Sequence, residues 1–183
     1  MESLMRYLSL SLRGVVLAIF LMTGVLSNVA SAASTTPAGA PFRASYAGTA
    51  AFTSASTVLL SGTGTATLLG ASTNRGDAVI HGLDPSCPGG LANTNVETLT
   101  AANGDILVLT MHDVACPVST KVFHGTGHWE VTGGTGRFLG ATGHGTMEGD
   151  ADFNQGRFVH RMVGTIVLAA ENNQRYLNGG SLP

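Results

Sequence analysis

Residues 125–149 read GTGHWEVTGGTGRFLGATGHGTMEG, two alternating runs that meet at a glycine-rich turn. A strand over 121–132 sets Phe123, Trp129 and Val131 on one face. His124, Thr126, His128, Glu130 and Thr132 share the other. A second strand, over 141–153, sets Ala141, Gly143, Gly145, Met147, Gly149, Ala151 and Phe153 against Thr142, His144, Thr146, Glu148, Asp150 and Asp152. A period of two with one apolar face is the mark of a half-buried strand. Glycine inside a strand weakens it but permits tight bending and close approach. Its repetition on the apolar face predicts a small, strongly curved, closed barrel.

The same reading extends in both directions. Towards the C-terminus, Asn154-Gln155-Gly156 turns into a strand over 157–169, where Phe158, His160, Met162, Gly164, Ile166 and Leu168 oppose Arg157 and Arg161. Towards the N-terminus, strands over 96–102 and 105–114 flank Asn103-Gly104, a pair suited to a type I′ hairpin turn. Before them come strands over 43–54, 57–69 and 76–82 and a Pro- and Gly-rich loop over 83–93. No helical periodicity interrupts them. The expectation is an all-β domain over 43–170, a single eight-stranded antiparallel barrel.

Val131-Thr132-Gly133-Gly134-Thr135-Gly136-Arg137-Phe138-Leu139-Gly140-Ala141 resembles the strand–turn–strand element of allene oxide cyclases and dirigent proteins. The chain is more closely similar to exported bacterial proteins with an allene-oxide-cyclase-like barrel. The residues that carry this are Gly62–Thr67 (GTGTAT), Thr100–Asp105 (TAANGD) and Gly164–Ile166 (GTI), and the likeness spans about residues 44 to 169. The resemblance implies a calycin-type barrel with an axial cavity. It also implies a homo-oligomer, by analogy a trimer. The plant relatives use their cavity to hold a reactive apolar intermediate and steer its cyclisation or coupling.

The N-terminus has the three-part grammar of a cleavable signal peptide. Arg6 and Arg13 precede an apolar run over 15–26, and Ala30-Ser31-Ala32 is a small-x-small box, which places the cut after Ala32. The run is too short to span a membrane, which takes about 20 apolar residues. Residues 33–42 read as a flexible lead-in and 171–183 as a polar tail. The expected location is extracytoplasmic, secreted or periplasmic, with no membrane insertion after cleavage. In an oxidising compartment Cys87 and Cys116 are expected to pair, closing a loop whose constraint is worth about 3–4 kcal/mol.

The full chain has 11 acidic and 9 basic residues. Removing Glu2, Arg6 and Arg13 leaves 10 against 7, a net charge of −3. With no basic stripe to neutralise phosphates, no nucleic-acid partner is expected. Gly134-x-Gly136-x-x-Leu139 lacks the third glycine of GxGxxG, no Lys follows, and no helix pattern opens, so the turn is not a phosphate loop. A register setting His128 opposite His144 and His124 opposite Glu148 would gather three imidazoles and a carboxylate, a set suited to Zn²⁺ or Cu²⁺. That face also carries Glu130, Thr132 and Asp150, and an exposed polar ladder accounts for it without a ligand. No metal and no cofactor is expected. No G-x-S-x-G elbow is present either.

His160 lies on an apolar face between Phe158 and Met162, and Tyr46 occupies a similar place on the first strand. These two are the candidate acid–base or hydrogen-bonding groups. The cavity-facing candidates are Tyr46, Phe52, Trp129, Met147, Phe158, His160 and Met162. Glu97 is assigned to neither face. Three functions follow: a binder of a small apolar ligand, a cofactor-free cyclase or isomerase assisted by His160 or Tyr46, and an inert barrel acting through oligomerisation.

Overall fold

The computed structural model describes residues 39–169. The signal peptide, most of the lead-in and the polar tail lie outside the described residues. Eight strands run in chain order: β1 Ala40–Phe52, β2 Thr57–Ala66, β3 Gly70–Asp84, β4 Gly90–Ala101, β5 Ile106–Ser119, β6 Val122–Gly134, β7 Thr142–Asp152 and β8 Arg157–Val167. Each pairs antiparallel with its neighbour, and β1 pairs with β8 to close the barrel. The closure sets Tyr46 opposite His160 and Ala44 opposite Met162.

Several strands run further than their local composition signals, whereas β2 stops at Ala66 short of the expected 57–69, because the chain turns there, with Leu69 N donating to Ala66 O and Leu68 at φ +71°. Ala40, Pro41 and Phe42, read above as lead-in, pair with Ile166, Thr165 and Gly164, and Phe42 is buried. β3 and β4 extend into segments rich in Asn, Gly and Thr, so the intervening loop is only 85–89. Cys116 is in β5, bonded to Cys87. Strand propensity is a weak prior, and hydrogen bonding to a partner on each side overrides it.

One end of the barrel is filled. Trp129 on β6 packs edge-on against Phe42, centroids 5.2 Å apart, and its indole N–H donates to the Thr146 carbonyl at 3.1 Å. Gly145 and Gly164 make room for the indole: a Cβ on either would lie 2.6 Å from its ring atoms. Phe138, Leu99, Leu107 and Ile166 complete this buried layer. The GGTGRF element caps the same end. It forms one turn of 3₁₀ helix, Gly136–Phe138, between β6 and β7. Arg137 donates through Nε to Asp105 Oδ2 at 2.9 Å and through Nη1 to the Leu68 carbonyl at 2.8 Å. Three connections are thus tied at one point. Gly136 is needed because φ is +58° and a Cβ there would overlap the Asp105 carboxyl.

The β4–β5 hairpin differs from the expected type I′ turn. Ala101 N donates to Asp105 O at 2.9 Å and Gly104 N to Ala101 O at 3.0 Å, and of the two central residues only Gly104 has positive φ. This is a three-residue loop closed by a left-handed glycine. Its register sets Glu97 opposite Leu109 and Asn95 opposite Met111. A two-residue Asn103-Gly104 turn would shift the pairing by one and turn Glu97 outward, because side chains alternate with period two.

Candidate functional site

The other end of the barrel is open, and its inner face is polar at the floor. Inward positions of β4 are Asn93, Asn95 and Glu97; β3 contributes Ser72 and Asn74, β5 Asp113, β8 His160 and β1 Tyr46. Glu97 is fully buried, at 0% exposure, and His160 is 4% exposed. A charged-type side chain at such a depth needs partners. Glu97 has them: Asn95 Nδ2 donates to Oε1 at 2.9 Å and Asn74 Nδ2 to Oε2 at 3.2 Å. His160 Nδ1 stands 3.5 Å from Oε1, at the outer limit of hydrogen bonding. The His160 ring is held between Phe158 and Tyr46, with centroids at 5.1 and 5.8 Å. Among the described residues three buried side-chain atoms have no hydrogen-bond partner: Asn74 Oδ1, Asn95 Oδ1 and His160 Nε2.

Two further groups are shifted by this setting. Burial holds the Asp113 carboxyl above its ordinary range and the nearby Glu97 adds to the rise, while the Asn93 amide at 3.1 Å and the imidazoles of His112 and His160 act against it. Burial also raises the Tyr46 phenol. Its 2.7 Å hydrogen bond with Ser72 opposes that rise and Glu97 adds to it.

Above the floor lies a cavity of about 120 Å³. Val58, Leu60, Ile80, Met147 and Phe158 supply apolar wall, and Asn93, Asn95, Asp113 and His160 the polar inner surface. Phe52, Phe123 and Phe153 form an aromatic rim; the Phe52 and Phe153 centroids are 4.7 Å apart and those of Phe123 and Phe153 are 6.0 Å apart. Of the seven residues read as cavity-facing, Phe52, Met147, Phe158 and His160 line this space. Tyr46 sits beside His160, and Trp129 and Met162 are buried in the packed core.

The outer histidines fall differently from the register considered above. His128 pairs with Thr146, Glu130 with His144 and His124 with Asp150, a shift of two residues that separates His128 from His144. His124 Nδ1 and Asp150 Oδ1 are 2.8 Å apart on the surface. His128 instead faces His112 of β5, ring centroids 5.5 Å apart. Among the described residues no group of three or more His, Cys, Asp or Glu is arranged to hold a metal.

Comparison with protein-family models, curated proteins and solved structures finds no match to this chain. The site is therefore read from its own chemistry. Residue-by-residue reasoning singled out His160 and Tyr46 but left out Asn74, Asn95 and Asp113, and left Glu97 unassigned. The nearest signal in the sequence reaches them only through the observed three-residue hairpin and not through the type I′ turn expected from Asn103-Gly104. The apolar set Leu107, Leu109 and Met111 of β5 must face inward, and the hairpin register carries that face to Asn95 and Glu97.

Proposed function

We propose that this protein is an exported β-barrel that binds a small, mainly apolar molecule at its open end. The observation that carries the reading is the apolar-walled cavity of about 120 Å³ behind an aromatic rim. An apolar cavity of roughly 150 Å³ stays dry and takes up benzene, so the space suits a benzene-sized body or the end of a longer molecule. The eight-stranded barrel is the fold that the GGTGRF resemblance implies, and a cavity at one end accords with allene-oxide-cyclase-like barrels. Export accords with the Cys87–Cys116 disulfide. Among the described residues no helix is long and apolar enough to cross a membrane.

A titration with benzene, followed by NMR, tests the binding. Saturable shifts at the Met147 methyl and the Phe158 ring are expected, and Met147→Trp, which fills the space, abolishes them at Phe158. An unsaturable, dispersed response overturns the reading. The mass of the protein recovered from its own host tests export: a chain beginning at Ala33 is expected, and an intact N-terminus counts against it.

A second reading, a cofactor-free cyclase or isomerase, is favoured by His160. Its ring lines the apolar cavity next to a carboxyl group, with Nε2 unpartnered. A positioned imidazole in such a place suits proton transfer. His160→Ala that leaves turnover of an apolar substrate unchanged would remove His160 from any mechanism.

A further inference from the structure

The outer wall of β4, β5 and β6 carries a row of side chains in direct register: Thr94 opposite His112, and His112 opposite His128. Both histidines are exposed, and their ring centroids are 5.5 Å apart with the planes 33° from parallel. Thr94 Oγ1 stands 3.3 Å from His112 Nδ1 and 2.9 Å from His81 Nε2 of β3. One hydroxyl serves both rings if it accepts from His112 Nδ1–H and donates its own proton to His81 Nε2. His112 then presents Nε2 as an outward lone pair. Neither ring nitrogen of His128 has a hydrogen-bond partner among the described residues.

Two imidazoles at this spacing suit one metal ion. Two Zn–N bonds of about 2.0–2.1 Å at a tetrahedral angle put the ring centres roughly 5 Å apart. A ligating imidazole usually gives its other ring N–H to an oxygen, which fixes the tautomer and the ring orientation. Thr94 supplies that oxygen to His112. The charge of the surface also favours a cation: Glu130 lies two residues along β6 on the same outer face, and β4, β5 and β6 contain no Lys or Arg. His144 of β7 pairs with Glu130 rather than with His128. The protein therefore offers two ligands, not the three considered from sequence, and water fills the remaining positions.

We propose that His112 and His128 form a surface site for a borderline divalent cation of the Zn²⁺ and Cu²⁺ class, with Thr94 as the positioning residue that orients His112. Imidazole suits both ions, and Cu²⁺ is the tighter binder at such ligands. The site is on the outside of the barrel wall, and neither histidine lines the cavity. It stands or falls independently of apolar binding at the open end.

Titration of the untagged, disulfide-intact protein with Zn²⁺ at neutral pH, followed by calorimetry and NMR, tests it. Saturable uptake is expected, with the largest shifts at the His112 and His128 rings. An outer partner of a metal ligand is worth about 10–100-fold in affinity, so His112→Ala and His128→Ala should each cost at least about tenfold. Thr94→Val should cost about tenfold, and Thr94→Ser, which keeps the hydroxyl, should restore binding. His144→Ala, an exposed histidine outside the pair, should leave the affinity unchanged. An ion that binds only the folded chain stabilises it, so Zn²⁺ should raise the thermal midpoint of the wild type and not that of His128→Ala. Absence of saturable uptake, undiminished affinity in His128→Ala, or a loss in His144→Ala as large as in His128→Ala overturns the site. An affinity unmoved by Thr94→Val overturns the role given to Thr94.

Discussion

At the closed end of the barrel the inner positions of β6, β7 and β8 hold Trp129 against Gly145 and Gly164; at the open end the inner positions of β4, β5 and β8 hold Asn95, Glu97, Asp113 and His160. The same strands run through both. At one end glycines opposite a large ring let side chains close the space, and Arg137 ties three connections above it. At the other, medium-sized residues surround a gap and buried polar groups satisfy one another incompletely. Stability is concentrated where packing is complete, and binding capacity where it is not.

The contrast breaks if both ends respond alike to truncation. Trp129→Ala is expected to cost about 3–5 kcal/mol in urea unfolding, the usual range for removing a buried aromatic. Met147→Ala, which widens an existing gap, should cost about 1 kcal/mol, because little new void is created. Similar costs would show that the open end is packed as tightly as the closed one.

Paired glycine substitutions sharpen it. A Cβ at Gly145 would overlap the Val163 carbonyl and crowd Trp129, whereas one at Gly125 would stand 3.5 Å from Asp113 Oδ2, an ordinary contact. Gly145→Ala should lose about 1–3 kcal/mol, and Gly125→Ala should stay within about 0.5 kcal/mol. Thermal unfolding of the two variants side by side decides the matter.

The smallest effects are expected from pH, with opposite signs at the two ends. Asp105, at the closed end, is opposed by burial, but hydrogen bonds from Arg137 and Asn103 outweigh it and hold the carboxyl below its ordinary 3.8. Its stabilisation is present above that value and is lost as pH falls through the lowered one. Asp113, at the open end, is raised by burial. Its contribution is present below 3.8 and lost as pH rises through the raised value. Urea midpoints measured across the acid range should therefore lose part of their acid-side fall in Arg137→Ala, and part of their decline above 3.8 in Asp113→Asn. Identical pH profiles for the two variants would remove the distinction.

The closed end was largely legible from residue order. In β6 and β8 the large aromatic and sulfur-bearing side chains share one face, and in β7 every charged residue lies opposite the Gly, Ala and Met face, so these faces follow from local pattern although Val159 and Val163 are exposed. The open end was not. In β4 the exposed residue is Val96, at 45%, and the fully buried one is Glu97. A strand with polar residues on its inner face offers no hydrophobic clue to which face that is. Its neighbour β3 is similar, with Asn74 buried between exposed Thr73 and Arg75.

Residue order by itself determined an all-β chain of eight strands, the inner faces of β6 to β8, and the two cysteines that join. Tertiary structure decided which polar groups meet. One extra residue in the Ala101–Asp105 turn directs Glu97 inward, and closure of β1 on β8 brings Tyr46 to His160. The physical reason is the two-residue period of a strand. Composition can say that a strand has two faces, but turn geometry and barrel closure set the register, and the register chooses the face.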